Sequence, residues 1–206
     1  MKKFICFMLC VVFLCPLLLS CGEKEKYDFS ETPTNFVLIR VKDYGDIVVE
    51  LYPDVAPITV ENFKNLVSEK FYDGLIFHRI IKGFMIQGGG ITEDYKQKPS
   101  PTIKGEFASN GVQNDLLHTR GVISMARAND PNSASSQFFI MHEDAPHLDG
   151  DYAAFGMVLE GIEVVDSIAS VAVDPYYNMP YKSVIIEFVR FINFENDSSE
   201  DLYFKF

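Results

Sequence analysis

The 206-residue sequence predicts a mostly β body, all-β or α+β, carrying two helices. Three observations point there. Apolar residues alternate with others at Val37, Ile39 and Val41, at Ile47, Val49 and Leu51, and again from Val184 to Ile192, which is the two-residue period of strands with one buried face. Short apolar runs bounded by turn-forming residues recur through the middle of the chain. Helical spacing of apolar residues is confined to two stretches.

In chain order, residues 37–41 and 47–51 flank Asp43, Tyr44, Gly45 and Asp46 and read as a hairpin. Pro57 opens a helix whose apolar residues Val60, Phe63, Leu66 and Val67 share a face, and the stretch Phe71 to Gly74 ends it. Strands follow at 76–81, 84–87, 121–126, 137–141 and 153–158. Between Gly90 and His118 the strand signal fades, and the prolines Pro99 and Pro101 with Asn110-Gly111 mark the turns of surface loops. A second short helix, around Gly161 to Ala169, buries Val164, Val165 and Ile168, and Val184 to Ile192 forms the last strand. Length favours a single domain, placed at 35–194, and no internal repeat is visible.

Polar side chains interrupt this apolar framework. Alternation through 76–81 puts Phe77, Arg79 and Ile81 on one face and Ile76, His78 and Ile80 on the other, so both faces are apolar around an arginine and a histidine. A buried guanidinium is costly unless it is paired or opens onto a site. Gln87 shares a face with Met85, and Gln137 with Phe139. Three polar groups in an apolar lining describe a pocket that grips an apolar group and hydrogen-bonds it. His78 points away from Arg79 and is read as structural, and Phe138 and Ile140 belong to the core. His118, His142 and His147 have no partner at ligand spacing, so no metal site is expected. A Ser-His-Asp hydrolase is a weak alternative, because Ser124, Ser135 and Ser136 lack a nucleophile-elbow context.

Five segments resemble cyclophilins in order and spacing: Phe77-His78-Arg79, Phe84-Met85-Ile86-Gln87-Gly88-Gly89, Gly121-Val122-Ile123-Ser124-Met125-Ala126, Ser136-Gln137-Phe138-Phe139-Ile140, and Leu148-Asp149-Gly150 with Phe155-Gly156. The resemblance runs from about Phe36 to Ile192 and is closest to the compact bacterial type. It implies a closed eight-stranded antiparallel barrel capped by two helices, and cofactor-free isomerisation of X-Pro peptide bonds. By resemblance, Arg79 and Gln87 are catalytic, and Phe84, Met85, Phe139 and Leu148 form the proline slot. Ala126 and Arg127 border the substrate backbone, and Gln137 adds to the lining. His147 stands where the family carries a tryptophan associated with cyclosporin binding, Tyr152 replaces a histidine of the proline pocket, and Arg127 replaces an asparagine. Cyclosporin binding is therefore expected to be weak. Strict alternation cannot bring both Phe84 and Met85 to one face, so one of them sits at a strand end. The rival reading is a non-catalytic peptide-binding or holdase module using the same groove.

Net charge is −11, from 18 basic and 29 acidic residues, which argues against a nucleic-acid partner because phosphate binding needs a basic stripe. Lys2 and Lys3 precede an apolar run from Phe4 to Leu19, 16 residues interrupted by Pro16, which is short for a membrane span and fits a signal segment. Its ending, Leu18-Leu19-Ser20-Cys21, resembles a bacterial lipoprotein signal. Residues 1–20 are then the signal, Cys21 the lipidated residue, 21–34 a polar tether and 195–206 an acidic tail. Cys6, Cys10 and Cys15 leave with the signal, so the mature domain has no thiol for a disulfide or a metal. The expected setting is a bacterial envelope, with proline-containing polypeptides as partners.

Overall fold

A computed structural model describes residues 26–194; the expectations for the signal, Cys21 and the acidic tail fall outside those residues. Strands β1 (Asp28–Phe29), β2 (Phe36–Val41) and β3 (Gly45–Leu51) precede helix α1 (Pro57–Ser68). Then come β4 (Ile76–Phe77), β5 (Arg79–Ile81), β6 (Met85–Gly88), β7 (Val122–Met125), β8 (Phe138–Met141) and β9 (Ala154–Glu160). Helix α2 (Ile162–Ala169) and strand β10 (Val184–Asn193) complete the described chain. The mostly β character and both helices agree with the sequence reading.

The ten strands form one antiparallel sheet in the order β1-β10-β2-β3-β9-β7-β8-β6-β5, with β4 pairing separately to β10. Ten replaces the expected eight for two reasons. β1 is a two-residue strand added beside the C-terminal end of β10, pairing Asp28 with Asn193. The strand expected at 76–81 is interrupted at His78, where the chain exchanges one partner for another: β4 pairs with β10, whereas β5 pairs with β6. Alternation alone cannot register such an exchange, since the apolar period continues across it. The hydrogen-bonded order accordingly has two ends rather than forming one ring. The outer edge of β5 is covered by a braced loop, where Asn178 O accepts the Ile80 N–H at 2.8 Å.

Alternation divides the buried side chains between two faces. Ile86, Phe138, Ile140, Ile123 and Phe155 join the main core, against which α1 packs Phe63 and α2 packs Val165 and Ile168. Phe63 lies 5.1–5.7 Å from the rings of Tyr72, Phe155 and Phe138. Met85, Phe139, Met141, Val122 and Ala154 face the other way, with Phe84 and Tyr152 packed over them. That second cluster explains why strands β6 and β8 read as apolar on both sides, and it forms the floor of the cleft described below.

The stretch from Gly90 to His118 is irregular, as its turn signals predict, yet it is not all surface. Glu106, Phe107 and Asn114 are buried. Helix α1 begins at Pro57 without a side-chain cap from Ala56, and Glu106 supplies what is missing. Its carboxylate accepts the Ile58 N–H at 3.1 Å, the Thr59 N–H at 2.8 Å and the Thr59 hydroxyl at 2.7 Å. A carboxylate at a helix N-terminus satisfies free amides and complements the helix dipole. Capping from 47 residues away is invisible to a local reading of the helix start.

Candidate active site

Two strands and the residue preceding a third present the polar groups Arg79, Gln87 and Gln137. Register pairs Arg79 on β5 with Gln87 on β6, and Gln87 with Phe139 on β8, so all three project from the same face. Arg79 Nη1 donates to Gln87 Oε1 at 3.2 Å and lies 3.9 Å from Met85 Sδ. Gln87 Nε2 in turn donates to Gln137 Oε1 at 3.1 Å. The guanidinium is thus half-buried and aimed by a two-amide relay rather than neutralised by a carboxylate contact in that relay. Gly90 permits the close packing of Gln137, because a Cβ there would run into the Gln137 side chain.

These residues border a cleft of about 180 Å³ lined by Arg79, Phe84, Met85, Gln87, Ala126, Arg127, Phe139, Leu148 and Tyr152. Nine of the expected site residues therefore converge. Gln137 takes part through Gln87, and His147 lies outside the lining, exposed and stacked on Phe84 at 5.5 Å and 28°. Phe84 sits one residue before β6, in the turn where its N–H donates to Ile81 O, which resolves the conflict between its position and Met85's. A larger cavity of about 360 Å³ lies elsewhere, at Lys26, Asp46 and Glu160, and is polar.

Arg127 contributes more than its backbone. Its guanidinium lies over the rings of Tyr152 at 4.7 Å and Phe107 at 5.1 Å, and Nε donates to Asp151 O at 3.0 Å. The replaced position therefore builds one wall of the cleft, with cation–π contacts fixing the tyrosine. Phe139 is held edge-on by Tyr152 at 5.8 Å and stacked by His118 at 6.0 Å.

Behind Phe139 the fold assembles a hydrogen-bonded array that sequence spacing did not reveal. His118 Nδ1 lies 3.0 Å from Asp149 Oδ1, and Nε2 lies 3.0 Å from Ser124 Oγ. The order Asp-His-Ser is that of a hydrolase triad, but His118 is 1% exposed and Ser124 0%, so no acyl group can reach the hydroxyl. Burial pushes the imidazole below its ordinary pKa, against the opposing pull of Asp149. The array supports Phe139 from behind, through the His118 ring stacked on it. Among the described residues, no three His, Cys, Asp or Glu side chains converge on a metal position.

The cleft thus sets an apolar floor of Met85, Phe139 and Leu148 beside the cationic Arg79. Comparison with known proteins identifies the family. Residues 36–190 match the family described as cyclophilin type peptidyl-prolyl cis-trans isomerase/CLD. Peptidyl-prolyl cis-trans isomerase A of Dickeya dadantii is 43% identical over 173 residues, covering 80% of this chain and 88% of its own length. A peptidyl-prolyl cis-trans isomerase of Acinetobacter baylyi is 46% identical over 151 residues, covering 69% of this chain and 78% of the relative. A Cryptosporidium parvum cyclophilin-type isomerase, crystallised in the presence of the dipeptide Ala-Pro, superposes with a TM-score of 0.65 at 30% identity, covering 78% of this chain and 99% of that one. This chain belongs to the cyclophilin-type peptidyl-prolyl cis-trans isomerases, enzymes that accelerate rotation about the peptide bond preceding proline.

Proposed function

We propose that the Arg79 cleft is the catalytic site, that it takes X-Pro segments of unfolded or flexible polypeptides, and that Arg79 acts on the twisted amide. The barrier to rotation is amide resonance, about 18–20 kcal/mol. Twisting the bond localises the lone pair on the prolyl nitrogen, where a cationic donor can reach it. Arg79 would therefore stabilise a charge distribution that exists only near the transition state, which is the condition for raising kcat. Lowering the barrier by about 7 kcal/mol gives roughly 10⁵-fold acceleration. Phe84, Met85, Phe139 and Leu148 would seat the ring, and the edge at Ala126 and Arg127 would border the substrate backbone. The same reading treats β4 and β5 as one interrupted strand that brings the sheet round into a barrel.

The observation that carries this is the 3.2 Å bond from Arg79 to Gln87 Oε1, which fixes where the cation points. Gln87→Leu keeps the side-chain bulk and releases the guanidinium. We expect kcat/KM toward an Ala-Pro tetrapeptide to fall about tenfold or more, with the melting temperature nearly unchanged. An unaltered rate in the folded variant would remove the role assigned to Gln87.

Cyclosporin is expected to bind weakly. The exposed His147 ring offers a smaller apolar face than an indole and lies outside the cleft lining. His147→Trp should tighten binding about tenfold or more while tetrapeptide turnover changes little. Tight binding by the wild type in a calorimetric titration would contradict this.

The domain is proposed to be tethered to a bacterial envelope through a lipidated Cys21. The Leu-x-Ser-Cys signal ending supports that reading, and several acyl chains, each at about 0.8 kcal/mol per buried methylene, would hold it firmly. The described residues contain no helix long and apolar enough to cross a membrane. Cys21→Ser should abolish metabolic labelling with a fatty acid and release the chain from membranes. Persistent labelling in that variant would refute lipidation at Cys21.

A further inference from the structure

A loop beside Arg79 displays three tyrosines to solvent. Tyr176, Tyr177 and Tyr181 are 86%, 73% and 70% exposed, among the few large hydrophobic side chains left uncovered in the described chain. Single exposed apolar residues are ordinary, whereas three exposed tyrosines within six positions concentrate apolar surface on one loop.

The loop is braced before anything binds. Asp174 Oδ1 accepts the N–H groups of Tyr176 and Tyr177, both at 2.9 Å. Asp174 also donates its N–H to Met179 O and accepts from the Asn178 N–H, each at 2.8 Å. Val173 bridges to Pro180, and the Tyr181 N–H donates to Ala172 O at 3.1 Å. Tyrosine on a fixed backbone offers a large amphipathic contact area for the ordering of only two side-chain torsions, so little entropy opposes its use in binding.

Its backbone adjoins the strand that carries Arg79. Asn178 O accepts from the Ile80 N–H, the residue next to Arg79, so the loop lies about one strand spacing, roughly 4.8 Å, beyond β5. The cleft lining runs across β5, β6, β8 and the end of β7, from Arg79 to Arg127, and the tyrosine loop is the next element past the Arg79 end. Summing Cα steps of 3.8 Å puts the Tyr177 backbone within roughly 13 Å of Arg79, a span covered by three or four extended residues.

We propose that Tyr176, Tyr177 and Tyr181 form a second contact surface for the client polypeptide. It receives aromatic or aliphatic side chains three or four residues to one side of the proline. This rests on reading the Arg79 cleft as the substrate site. The chemistry it selects is an unfolded segment with exposed apolar residues, as distinct from a proline in a short or purely polar peptide. The surface adds affinity remote from the reacting bond, so it lowers KM and leaves kcat unchanged.

The test uses the full chain and a Tyr176→Ser/Tyr177→Ser/Tyr181→Ser variant, with an Ala-Pro tetrapeptide and 11-residue peptides carrying Phe or Gly three or four positions before or after proline. The wild type should show a KM about five- to tenfold lower for Phe over Gly on one side of the proline only, with equal kcat. The variant should lose that preference and keep its tetrapeptide kcat/KM within about twofold of wild type. A preference that survives in the variant, or is absent from the wild type, overturns the proposal. So does a variant whose peptide kinetics are unchanged while its binding to phosphatidylcholine vesicles or its self-association is lost, since the patch then serves a membrane or a second copy. Peptide affinity is also read by direct titration: a wild type inactive on the tetrapeptide that still gains affinity from Phe on one side of proline overturns the catalytic role of Arg79 and keeps the cleft and the tyrosine loop as a peptide-binding surface.

Discussion

Glu106→Ala should destabilise the domain by about 3–5 kcal/mol, a large share of the stability of a protein this size. The carboxylate is 2% exposed and accepts three hydrogen bonds from the first turn of α1. Truncation leaves the Thr59 N–H and hydroxyl without their acceptor in a buried position, at about 1–3 kcal/mol for each unsatisfied group. It also removes a charge that complements that helix end, where α1 itself has no acidic residue in its first turn and no cap from Ala56. Glu106→Gln retains one acceptor oxygen and should fall between alanine and wild type. Urea unfolding monitored by tyrosine fluorescence and by far-UV circular dichroism reads the change directly. A loss below about 1 kcal/mol would mean that water enters and replaces the carboxylate.

Arg79→Ala should reduce kcat/KM for an Ala-Pro tetrapeptide by about 10²–10³-fold, the usual effect of deleting a donor aimed at developing charge. Stability should change little, because the guanidinium is half-buried and bonded to a neutral amide rather than locked in a buried ion pair. Arg79→Lys should rescue only a small part of the activity. An ammonium carries the charge, but it lacks the planar fork that lets one nitrogen hold Gln87 while the others face the cleft. A coupled isomerisation assay on both variants, with melting curves as the folding control, gives the comparison. A lysine variant near wild-type rate would show that net charge suffices and that the Gln87 contact does not set the geometry.

Much of this was legible in the sequence because burial writes a period into it. The hairpin of β2 and β3, both helices and the final strand lie within a residue or two of where alternation and helical spacing place them. The cleft was legible for a different reason: polar residues at Arg79, Gln87 and Gln137 interrupt apolar faces, and the registration of Arg79, Gln87 and Phe139 across β5, β6 and β8 follows from antiparallel pairing. What stayed hidden depended on contacts distant along the chain. The break at His78 comes from an exchange of strand partners, which leaves the apolar period intact. The Glu106 cap and the His118 array join residues from separate loops, and the Arg127 side chain finds Tyr152 and Phe107 only after folding. Glu106, placed next to the apolar Phe107 in an otherwise turn-rich segment, carried the available signal for the cap.

Arg79 is proposed to bind the twisted amide more tightly than either planar isomer. The decisive measurement separates affinity from turnover: exchange NMR on a labelled Ala-Pro peptide, with wild type and Arg79→Ala, giving the dissociation constants of the cis and trans complexes and the rate of interconversion on the protein. The predicted result is an on-protein rate lower by about two orders of magnitude with dissociation constants changed only a few-fold. An unchanged interconversion rate accompanied by a comparable loss of affinity would contradict it, and would make Arg79 a ground-state binding residue.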